Sequence, residues 1–221
     1  MSDHKEHLLT SLISSVVDQY FGTVLQLVYG KLQGQPADSL KLRFARFFHN
    51  IGARVEAGYG ADYFIKHSDK LDAAAFAQVY PPFVLAETEK LARPVDRKAA
   101  VVSLTKTLCD SQVFAQKFAK GWASSCRILL SLLANAPVVS AGVGDDIVTE
   151  SLDDIGFGTS FTALNTCKPT ARDDFPDVQN VAVWVKEYMV AANSRHGGAI
   201  EGFISQRLPP EQQQAIAQYI R

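Results

Sequence analysis

The chain has 221 residues, 47% hydrophobic and 20% charged, enough apolar material for a sizeable core in a single domain over residues 1–221. A formal net charge of −1 argues against a general nucleic-acid surface, which needs a surplus of Lys and Arg on one face. The longest charge-free run, Ile128 to Gly144, is broken by Asn135, Pro137 and Gly142, so it falls short of the ~20 apolar residues of a membrane-spanning helix.

Proline-free windows carry helical periods in turn. From Leu8 to Leu32, Leu8, Leu12, Val16, Tyr20 and Val24 step by four beside Leu9, Ile13, Val17, Phe21 and Leu25. So wide an apolar face predicts a helix covered on two sides, ended by Gly34-Gln35-Pro36. Asp38 or Ser39 is placed to cap a second helix, with Leu40, Phe44, Phe47, Phe48, Ile51 and Val55 on one face, running to about Ala57 before Gly58-Tyr59-Gly60. A short helix from Ala61 to Ser68 follows. Asp72 then caps Ala73 to Leu91, which Pro81-Pro82 must kink or split, since neither proline has a backbone donor.

Pro94 opens the next helix, where a missing N–H costs nothing, and this helix is expected to end near Cys109-Asp110. Phe114, Phe118, Trp122, Cys126, Leu129 and Leu130 predict one long helix from Val113 to Ala134. The period then fails. Residues 141–180 hold 8 acidic and 2 basic side chains, against 12 and 16 in residues 1–140. The stretch of about 138–155 therefore reads as an exposed acidic loop. A short helix is expected over Gly156 to Asn165, then short terminal helices over 178–220, broken by Gly197-Gly198 and restarted at Pro209-Pro210. The fold class is all-α: an α-solenoid of HEAT-like antiparallel pairs, or on periodicity alone an irregular bundle.

Candidate chemistry is sparse. Cys109, Cys126 and Cys167 are odd in number and widely spaced, which fits a reducing compartment better than a disulfide or zinc framework. The start, Met1-Ser2-Asp3-His4-Lys5-Glu6, is polar and has no signal-peptide character. Asp145-Asp146 invites comparison with magnesium-binding carboxylate pairs, but no second cluster faces it. The favoured reading of that pair, of Asp153-Asp154 and of Asp173-Asp174 is a solvated loop. The histidines include no metal-spaced pair on a helix face, and there is no nucleophile elbow or phosphate loop. Neither an enzyme nor a cofactor is expected. Asp96-Arg97-Lys98, in the first turn of the Pro94 helix, has two compatible readings: a salt-bridge ladder to a neighbouring pair, or charges gripping a partner.

With these residues in view, the chain resembles the C-terminal portion of the exportin-2 (cellular apoptosis susceptibility) receptors of the importin-β family. The likeness rests on four blocks in order: Leu42 to Gly60 with the Asp69-to-Tyr80 stretch after it, Pro94 to Leu108, Ser151 to Phe161, and Asp177 to Ile220. Phe157 and Ile155 stand where the family's acidic turn carries Tyr and Pro. The resemblance implies a non-catalytic, cofactor-free HEAT-repeat module for nuclear export. Its implied partners are importin-α and, mainly through N-terminal repeats absent here, Ran-GTP. Neither nucleic acid nor membrane is implied. The module would shuttle between nucleus and cytoplasm and visit the nuclear envelope. Partner-binding roles are expected of Asp96, Arg97, Lys98, Asp145, Asp146, Asp153 and Asp154. The alternative is a generic helical-repeat scaffold for another partner, and a fragment or truncated relative is expected to expose apolar surface at its N-terminal end.

Overall fold

The computed structural model describes residues 18–139 and 173–220, and every regular element among them is helical. Helix α1 (residues 18–32) buries Phe21, Leu25, Tyr29 and Leu32, a one-face series at helical spacing. The second side expected to be covered is open: Tyr20, Val24 and Leu27 are exposed.

Helix α2 (Asp38–Gly52) is capped differently from the expectation. Ala37 is the N-cap and provides no side chain, while Asp38 lies in the first turn and pairs with Lys41 at 2.8 Å. The helix stops at Gly52 rather than near Ala57, and a 3-10 turn (Val55–Ala57) follows. Gly58 (φ 83°) and Gly60 (φ 105°) then reverse the chain in a left-handed conformation that a side chain disfavours. Helix α3 (Ala61–Leu71) buries Phe64, Ile65 and Ser68. Asp72 holds the following turn by accepting from the Ala74 N–H at 2.7 Å.

The Pro81-Pro82 pair splits its helix as anticipated. Helix α4 (Ala75–Val79) passes into a π-helical turn (Tyr80–Leu85) and then α5 (Ala86–Thr88), because two successive residues cannot donate to the α ladder. The single helix expected from Val113 to Ala134 is in fact two, α7 (Gln112–Lys117) and α8 (Ala119–Ala134). Phe118 leaves helical geometry between them (φ −121°, ψ 52°), which lets both Phe114 and Phe118 reach Phe76, with ring centroids 6.2 and 5.0 Å away. Aromatic contacts run on from there to α1, through Phe48–Tyr80 and Phe48–Phe64 (both 5.2 Å) and Phe21–Phe64 (5.6 Å).

Helix α6 (Pro94–Asp110) is the axis. It packs against α2, α8 and α9 (Val181–Arg195), and every residue from Ala100 to Cys109 is buried. A helix enclosed on three sides needs no polar face along that length. Thr105 donates to the Val101 carbonyl at 2.8 Å, and the Leu108 carbonyl accepts from Trp122 Nε1 at 3.1 Å, whereas the buried Ser103 and Thr107 hydroxyls have no partner among the described residues. Asn180 caps α9 by accepting from the Ala182 and Val183 N–H groups. Positive-φ Gly197 and Gly198 turn the chain into α10 (Ala199–Arg207), and Pro210 opens α11 (Pro210–Ile220). The helix expected at Gly156 to Asn165 lies outside the described residues.

Candidate functional site: the charged seam on the central helix

Pro94 sets the direction of the first turn of α6, and the three charged residues after it point to three different neighbours. Asp96 pairs with Arg46 of α2 (Nε to Oδ2, 2.8 Å) and with Arg93 (3.6 Å). Arg97 donates from Nη2 to the Asn135 carbonyl at the end of α8, at 2.9 Å. Lys98, whose side chain is only 4% exposed, donates to Asp173 Oδ2 at 2.7 Å. One helical turn thus ties together α2, the end of α8 and the strap that leads into α9. The ladder between neighbouring pairs anticipated for these residues is present.

The strap is held at two points. Asp173 also accepts from the Phe175 N–H at 3.0 Å, and Asp174 lies 3.4 Å from Arg54 Nη2. Asp173 is therefore not the solvated carboxylate expected from its sequence context, while Asp174 stays exposed. Each carboxylate meets a cation far away in the chain, and Phe175 and Val178 join the core behind them. Arg54 is fastened in turn by donating to the Asn50 carbonyl at 2.5 Å.

Further along α6, buried Lys106 donates to the Ala53 carbonyl at 2.9 Å and to both oxygens of Glu56 at 2.7 Å. An ammonium thus caps the carbonyl end of α2, where the helix dipole favours positive charge. Burial alone would raise the Glu56 carboxyl, but Lys106 and the hydrogen bonds to it outweigh that and hold it below its ordinary value. At the far end, Asp110 accepts from the Tyr188 hydroxyl and pairs with Arg195 at 3.2 Å, fastening α9.

Arg46, Arg54, Arg93, Arg97 and Lys98 face Asp96, Asp173 and Asp174, so the seam carries more positive than negative charge. These pairs hold the helices of the seam in register. Among the described residues no group of His, Cys, Asp and Glu could hold a metal ion. Asp145, Asp146, Asp153 and Asp154 lie outside the described residues. Sequence reasoning missed Arg46, Lys106 and Asp173. Their partners lie at least 50 residues away, and local spacing carries no signal of that.

Over residues 3–219 the chain matches the family described as CAS/CSE protein, C-terminus. It is 22% identical over 222 residues to the importin-alpha re-exporter of Schizosaccharomyces pombe, covering 98% of this chain and 23% of that protein. It is likewise 22% identical to exportin-2 of Danio rerio, over all of this chain and 23% of that protein. A solved structure, the exportin Cse1 in its cargo-free, cytoplasmic state, superposes with a TM-score of 0.66 at 18% identity, covering 99% of this chain and 22% of that one. The fold is therefore an α-solenoid of HEAT-like antiparallel helix pairs, and the chain spans about a quarter of the length of these relatives.

Proposed function

The chain belongs to the CAS/CSE family, and from that premise we propose that it is the C-terminal module of a nuclear export receptor that helps return importin-α to the cytoplasm. The observation that carries this reading is the match over residues 3–219 together with relatives named importin-alpha re-exporter and exportin-2. The module acts as a protein-binding scaffold without chemistry of its own. Ran-GTP enters mainly through N-terminal repeats of the kind its relatives carry. The module works while shuttling between nucleus and cytoplasm through the nuclear envelope.

Asp96, Arg97 and Lys98 serve this role at two levels. Asp96 and Lys98 fix the helices that form the partner-facing surface, and Arg97 contributes charge at the rim. Asp145, Asp146, Asp153 and Asp154 supply a second, acidic contact region. A pull-down tests the reading: the purified chain, mixed with the N-terminal repeats of an exportin-2 relative and Ran-GTP, retains importin-α. Recovery of no importin-α under these conditions would refute it.

A further inference from the structure

Two departures from α-helical geometry meet at one place: the π turn at Tyr80–Leu85, and Phe118 between α7 and α8. Between them lies a groove of about 350 Å³. Its floor is Phe76, Tyr80 and Phe118, and Lys117 and Lys120 stand exposed at its rim with no acidic residue lining it. Lys120 has no ion-pair partner among the described residues. The one ion pair of Lys117 among the described residues, to Asp69 at 3.1 Å, is turned toward α3.

The wall holds a second feature. A helical carbonyl is answered by the N–H four residues on, or five in a π turn. For Ala77 those residues are Pro81 and Pro82, and neither has an N–H. The Tyr80 N–H is committed to the Phe76 carbonyl. The Ala77 carbonyl, in a residue that lines the groove, is therefore an acceptor without a helical donor.

We propose that this groove docks a short extended segment of a partner protein in which an aromatic or branched apolar side chain stands beside carboxylates. The apolar side chain fills the floor, a backbone N–H of the segment answers the Ala77 carbonyl, and the carboxylates meet Lys120 and Lys117. Charge sets the preference, since the groove offers cations and no anion. This inference does not depend on the transport reading, and either can fail alone.

The test is selection of a random 12-residue peptide library, displayed on phage, against the full chain. Recovered peptides are then synthesised and titrated. The expected winners combine an aromatic or branched residue with neighbouring Asp or Glu. They lose about fivefold or more in affinity on Lys120→Glu, lose binding on Ala119→Trp, which fills the groove from an exposed position, and protect Lys120 from acetylation. Selection of no peptides, selection without acidic enrichment, or peptides that bind Lys120→Glu as well as the parent chain would overturn the proposal. Should Ala119→Trp fail to fold, Lys120→Glu and the acetylation footprint decide the outcome.

Discussion

His49 on α2 shows how one proton position is dictated by its neighbours. Its Nε2 lies 2.7 Å from Thr88 Oγ1, and the Thr88 hydroxyl donates to the Val84 carbonyl at 2.6 Å. Thr88 can then only accept, so the proton sits on Nε2 and Nδ1 is left bare in an apolar site. Burial drives the imidazole down to about 3 from an ordinary 6.5. The folded state resists the proton that the unfolded state accepts. The penalty is therefore absent above pH 6.5 and grows as pH falls from 6.5 toward 3. Between pH 7.5 and 5 it amounts to about 2 kcal/mol. Urea denaturation at the two pH values should show that loss in the native chain and a much smaller one in His49→Gln. Equal losses in both would remove His49 as the cause.

On α1, two leucines only two positions apart make opposite predictions. Leu25 is fully buried and Leu27 is 68% exposed. Leu25→Glu should unfold the chain, because it puts an unpaired charge in the core, whereas Leu27→Glu should shift stability by no more than about 0.5 kcal/mol. Circular dichroism melting of the two variants checks the orientation of the helix, and similar melting curves would contradict it.

At the scale of elements, α2 and α6 lie close together at Gly52. A Cβ there would lie 2.4 Å from Ser103 Oγ, while the Ser103 Cβ is 3.6 Å away, an ordinary contact. Gly52→Ala should therefore cost roughly 1–3 kcal/mol through overpacking, and Ser103→Ala in the same chain should return most of it. A double-mutant cycle by denaturant titration measures the coupling, and additive effects would show that the helices move apart freely.

The strap is a second element-scale test. Asp173→Asn leaves the Lys98 ammonium buried without its counter-charge, and should cost roughly 1–3 kcal/mol given that Asp173 is partly exposed. Lys98→Met in the same chain should recover much of the loss. No recovery would mean that the strap is held by Phe175 and Val178 instead.

These elements also show what the sequence could disclose. The ends of α1, α6 and α9 were legible, because proline and glycine act locally: Pro36, Pro94 and Gly197-Gly198 stand where the chain turns. The break at Phe118 was not, since Phe114, Phe118 and Trp122 keep a four-residue period straight across it. The reason for the break is a contact with Phe76, which only the folded chain reveals. The candidate site divides similarly. Asp96, Arg97 and Lys98 could be singled out as charges in a first helical turn, but Lys98 finds its carboxylate 75 residues away. A context of acidic, proline-broken sequence made Asp173 look as solvated as its exposed neighbour Asp174.

In the whole molecule, a central helix buried on three sides bonds the described helices into one body, and the proposed function assigns the charge at the head of that helix to a partner. Under that proposal stability and recognition share residues, and the variants that separate them are those at the rim. Among the described residues Arg97 holds only the Asn135 carbonyl, so Arg97→Glu should weaken importin-α binding with little change in melting temperature. Asp96→Lys, placed between Arg46 and Arg93, should lower both. The most direct measurement is the affinity of importin-α for the N-terminal repeats of an exportin-2 relative with Ran-GTP, titrated with and without this chain. Tighter binding is expected when the chain is added, and less of that gain with Arg97→Glu. An affinity unchanged by the chain would contradict that expectation.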